Sequence, residues 1–208
     1  MFVIGFVASL VAGALLARSS LFLPGATAGQ LRDYYTGSQL AVGVSSLLQL
    51  LAAAGLAWFG HGLSAAVGAG RWATSATWLA ASAFVLSCAL SLSLVAVAGS
   101  VGDGTLLVLA RLTLAFGGPV HLTGLAGLLW FSSRAALAHG QGPRWVMRFG
   151  ILISPLLLVS LVSLILPAVT RGEPLWRLLA AVWLIAVSAA NLRPPSLGAR
   201  SRVQETTR

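Results

Sequence analysis

The chain has 208 residues, 58% of them hydrophobic and only 8% charged, with a mean hydropathy of +0.92. Soluble domains carry about 25% charged residues, and so few could not cover a water-facing surface, so a soluble globular fold is excluded. The net charge of +9 comes from 13 arginines and no lysine. All but Arg111 lie between apolar runs or in the C-terminal stretch, so they read as orientation signals and lipid-headgroup contacts rather than a nucleic-acid surface.

Apolar runs of about 20 residues are transmembrane helices, and six runs follow one another along the chain. The first extends from about Phe2 to Ala17. No basic residue precedes it, and the small-residue site at Ala26 to Ala28 lies too far downstream for cleavage, so an uncleaved helix is expected. The outer loop "LPGATAGQLRDYYTGSQ" comes next, with Thr27 placed to cap a short helix. Leu31, Tyr34 and Tyr35 share one face of it at i, i+3, i+4. Two readings stand: an interfacial helix with tyrosines at headgroup level and Arg32 and Asp33 on its wet side, or a lid over the bundle mouth.

The second run extends from about Gln39 to Phe59, with Ala41, Ser45, Gln49, Ala53 and Ala57 at every fourth position. Small residues mark helix contact faces in lipid, so Gln49 is expected to face protein near mid-membrane. The third, from about Trp72 to Gly99, carries a similar stripe of Ala83, Ser87 and Ser91 and the only cysteine, Cys88, which rules out an intramolecular disulfide. The fourth extends from about Leu106 to Phe131, the fifth from about Val146 to Val169 and the sixth from about Leu175 to Leu192. Residues 1–193 are thus expected to form an all-α polytopic bundle of six transmembrane helices. Residues 194–208, beginning Pro194-Pro195, read as a polar, disordered cytoplasmic tail.

With six spans, one side holds Arg71, Arg134, Arg144, Arg148, Arg193, Arg200, Arg202 and Arg208, and the other holds Arg18, Arg32, Arg171 and Arg177. Eight against four places both termini in the cytoplasm. Trp58, Trp72, Trp130 and Trp145 then fall at the inner interface and Trp176 at the outer one.

The fourth run carries both Arg111 and His121. Ten residues separate them by about 15 Å along a helix, so they are not partners. Arg111, near the outer end, can snorkel to the interface as an anchor or pair with a loop acid such as Asp103. His121 shares a small-residue face with Thr113, Gly117 and Gly124, beside the helix break at Pro119. A charged imidazole is costly at mid-membrane, so a hydrogen-bonded ring is expected, in either a structural or a ligand- or proton-handling role. With Gln49 it is expected to line an interior cavity. The candidate ligand-binding set is His121, Gln49, Arg111, Tyr34 and Tyr35.

No phosphate loop, nucleophile elbow, His-Glu-x-x-His or Cys-x-x-Cys is present. His61 and His139 lie in inner loops, so no pair of haem ligands is available within the spans, and no metal or cofactor is expected. The leading expectation is a non-catalytic membrane component: a small transporter, a lipid-binding protein or an accessory subunit. Its partners would be the bilayer, a hydrophobic small molecule or lipid, and another membrane protein, with no nucleic acid. The alternative is a membrane-embedded enzyme, such as a cyclase, acting on a lipid or isoprenoid through Asp33, Asp103 or Glu173 at the outer mouth, assisted by Tyr34, Tyr35 or His121. These acids read as wet, whereas such chemistry needs a carboxylic acid in a dry pocket.

The order "YYTGSQLAVGVSSLLQLLAAAGLAWF", an Arg-containing inner turn and "GQGPRWVMRFG" before the fifth run resembles a broad group of uncharacterised six-span bacterial integral membrane proteins. The resemblance implies six spans and supplies no catalytic residues. A multi-pass protein of the bacterial inner membrane is the expected localisation.

Overall fold

The computed structural model describes residues 2–18 and 25–190, so the tail from residue 194 and part of the first outer loop lie outside it. In chain order the helices are α1 (Phe2–Leu16), α2 (Ala28–Gly37), α3 (Gln39–Val67), α4 (Gly70–Val97), α5 (Asp103–Ala115), α6 (His121–Ala138), α7 (Arg144–Leu158) and α8 (Glu173–Ala189). A π turn, Phe116–Val120, joins α5 to α6, and two 3-10 stretches, Val159–Leu164 and Pro167–Gly172, lie between α7 and α8. Every regular element among the described residues is helical.

Four continuous helical stretches are long and apolar enough to cross a membrane: Gln39–Val67, Gly70–Val97, Asp103–Ala138 and Arg144–Leu164. This is the architecture of a multi-pass membrane protein. At 15 and 17 residues, α1 and α8 fall short of the roughly 20 that a perpendicular span needs.

The packing suits lipid. Large apolar side chains point outward, among them Leu152 at 69% exposure and Ile165 at 82%. The helix seams are built from small residues, because hydrocarbon supplies no hydrophobic force between helices and close approach must do the work. A Cβ added to Gly124 of α6 would run into the backbone of Ala80 on α4. One added to Gly60 of α3 would strike the side chain of Thr77 on α4.

At one end of the bundle, Arg71 sits over Trp72 and Arg134 over Trp130, at 5.2 and 5.7 Å from the ring centres. The other end carries α2. Thr27 caps it as its position predicts, in a reciprocal capping box with Gln30. Leu31 and Tyr35 are buried, so α2 packs onto the bundle. Arg32 corrects the wet-side expectation: its half-buried guanidinium donates to the carbonyls of Ala98 and Val101 and pairs with Asp103 at 2.8 Å. It therefore ties α2 to the α4–α5 connection.

The two interrupted helices position the interior. Pro119 has no N–H to offer, and the chain carries the break within the π turn. Past Pro155, α7 tightens into the first 3-10 stretch, and the second leads the chain back to Glu173. Trp183 Nε1 donates to the Val146 carbonyl near the start of α7. Glu173, ten residues before Trp183, therefore lies about 15 Å along α8 from that end.

Candidate functional site

His121 opens α6 and is 1% exposed. Its Nδ1 lies 2.9 Å from the Ala80 carbonyl, which can only accept, so the ring carries its proton on that nitrogen. The imidazole stacks on Phe84 at 4.6 Å, with Phe2 at 6.1 Å. Gln49, half-buried on α3, accepts from Cys88 Sγ at 3.4 Å. Phe84 and Cys88 are one turn apart on α4, so α4 brings His121 and Gln49 to neighbouring levels and gives each its own partner.

A cleft of about 720 Å3 lies elsewhere, between α2, α5 and the 3-10 stretches. Its lining includes Leu31, Leu107, Leu114 and Leu164, with Pro119 and Ser163 from the interior elements and Arg111 from α5. Neither His121 nor Gln49 lines it. Tyr34 and Tyr35 pack edge to face at 5.2 Å beneath α2. Burial pushes both phenols above their ordinary range, and for Tyr35 the neighbouring Tyr34 adds to this while a hydrogen bond with Ser91 opposes it.

Behind Ser163 lies a group that the sequence pattern did not bring together. Glu173, read as a wet outer acid, is 7% exposed. Ser163 Oγ donates to its Oε1 at 3.0 Å, and Arg177 Nη2 stands 3.6 Å from its Oε2. The same Arg177 nitrogen donates to the Gly117 carbonyl of the π turn at 2.5 Å, and the guanidinium lies 5.8 Å over Phe6. Gly118 lets the carboxyl approach the π turn closely, since an added Cβ would come within 2.6 Å of Glu173 Oε2 and the carboxyl would have to shift. Glu173 is buried because α8 begins inside the bundle and not at its outer face. The available signal was the i,i+4 spacing of an acid and a base at the start of an apolar run, together with "GGP" in another run.

Among the described residues, no three His, Cys, Asp or Glu side chains converge as a metal cage requires. Asp33 is exposed on α2 and Asp103 is held by Arg32, so the three candidate acids occupy separate environments. Among the described residues, the arrangement offers an apolar-walled cleft lined by one cation, Arg111, and by the Ser163 hydroxyl that is tied to the buried Glu173 carboxyl. Compared with protein families, curated proteins and solved structures, the chain matches none of them.

Proposed function

We propose that the protein crosses the inner membrane six times with both termini in the cytoplasm, and that it binds a hydrophobic small molecule or lipid in the cleft beside α2. It acts there as a non-catalytic transport, lipid-binding or accessory component. The observation that carries this reading is the cleft itself: about 720 Å3, within the range of about 300–1,000 Å3 typical of small-molecule sites, and walled mainly by leucine and alanine. The orientation is supported by the arginine asymmetry, which grows from eight-to-four to eight-to-three once Arg177 is placed in the interior.

The test is lipid extraction from protein purified in neutral detergent, followed by mass spectrometry. Leu114→Trp, which fills the cleft from a half-buried wall position, should lower the amount of a co-purified apolar species several-fold while the helical circular-dichroism signal persists. Equal retention in both proteins would remove the cleft as the site.

One observation favours the enzymatic alternative. Glu173 is dry, and Ser163 links it to the cleft, which meets the requirement for a shielded acid. Under that reading Glu173→Gln leads to accumulation of an unreacted lipid in the extract, whereas under the non-catalytic reading the lipid composition stays the same.

A further inference from the structure

Arg111 is the one charged side chain among the described residues lining the cleft. It sits eight residues below Asp103 on α5, about 12 Å deeper. None of the described carboxylates neutralises it. Asp103 is paired with Arg32, and Glu173 is held by Ser163 and Arg177. Asp33 is two residues beyond Leu31, whose side lines the cleft, and residues two apart on a helix point away from each other. Arg111 is exposed, so its guanidinium, beside leucine walls and with no described carboxylate against it, is open to an anionic partner.

We propose that Arg111 is the headgroup residue of the cleft and that its ligand is an anionic amphiphile, a phosphate or carboxylate attached to a hydrocarbon tail. This rests on the cleft being the binding site. The guanidinium takes the anion through paired N–H donors, a geometry that suits either oxyanion. The tail then lies along Leu107, Leu114 and Leu164 toward Pro119. Asp103, about 12 Å away along α5 and already paired with Arg32, is out of reach of Arg111, which is left to the ligand.

The experiment uses the full chain in neutral detergent with three probes, dioleoylphosphatidic acid, dioleoylglycerol and inorganic phosphate, read by native mass spectrometry and by ligand-induced thermal shift. Phosphatidic acid should bind about tenfold more tightly than dioleoylglycerol, the worth of one charge-assisted hydrogen-bonded pair. Arg111→Gln should abolish that difference and Arg111→Lys should keep part of it. Arg134→Gln, over Trp130 at the opposite end, should leave it unchanged. Unaltered phosphatidic acid binding in Arg111→Gln overturns the proposal. So does inorganic phosphate binding as tightly as the lipid, since the site would then hold an ion and no tail. If the two lipids bind equally and Leu114→Trp weakens both, the anion assignment falls and the cleft reading stands. If Leu114→Trp affects neither, the cleft reading falls as well.

Discussion

His121 shows how a polar side chain is accommodated in a bundle facing hydrocarbon. Its one described hydrogen bond goes to a carbonyl of α4 and its face lies flat on Phe84. His121→Leu removes both interactions while keeping an apolar side chain of similar bulk. The expected loss is about 0.5–2 kcal/mol, the worth of an interhelical hydrogen bond in a membrane protein, read as a lower melting temperature in detergent. An unchanged melting temperature would mean that the ring is not a structural partner of α4. The tyrosines allow a second measurement, because the chain has only Tyr34 and Tyr35. Both are raised by burial, so the fold prefers the neutral phenol. Their contribution to stability is therefore complete below the ordinary phenol value of about 10, and is lost as pH rises from there toward the folded-state value. Phenolate absorbance of the folded protein should titrate at higher pH than that of the denatured chain. Coincident curves would show that α2 does not bury them.

At the level of elements, the seams depend on backbone proximity. The α4–α6 seam meets at Ala80 and Gly124, where the atoms opposing a new Cβ belong to the backbone and cannot swing aside. Gly124→Ala should destabilise the bundle by roughly 1–3 kcal/mol, the usual cost of overpacking. Gly43→Ala on α3, where nothing lies within 4 Å of the added atom, should be neutral or mildly stabilising through better helix propensity. Thermal unfolding of the two variants in one detergent checks the contrast, and an equal effect would place α4 and α6 further apart. The interrupted elements follow a different logic. Pro119 and Pro155 each delete a helix hydrogen bond, and the chain responds with a wider turn at Phe116–Val120, where the Gly117 carbonyl accepts from Arg177, and a tighter one at Val159–Leu164.

For the whole molecule, the proposed six-span topology makes one end cytoplasmic and the other external. Cysteine introduced at Gly102, between α4 and α5, should react with a membrane-impermeant maleimide in intact cells. Cysteine at Ala138, exposed at the opposite end, should react only after permeabilisation. Gly140 is unsuitable because its φ of +65° strains any side chain. Native Cys88 is fully buried and gives no background, and the reverse labelling pattern would overturn the orientation. The sequence alone was enough to determine the membrane class, the long helices, the capped helix at Thr27 and the inward face of His121. Hydropathy, capping and helical periodicity are local properties, legible within a window of about 20 residues. Tertiary structure decided which charges meet. Arg32 reaches Asp103 across 71 positions of chain, and Arg177 reaches the Gly117 carbonyl across 60. Those pairings bury Glu173, leave Arg111 facing the cleft and separate His121 from it, because they depend on where broken helices end in space and not on which residues are neighbours in sequence.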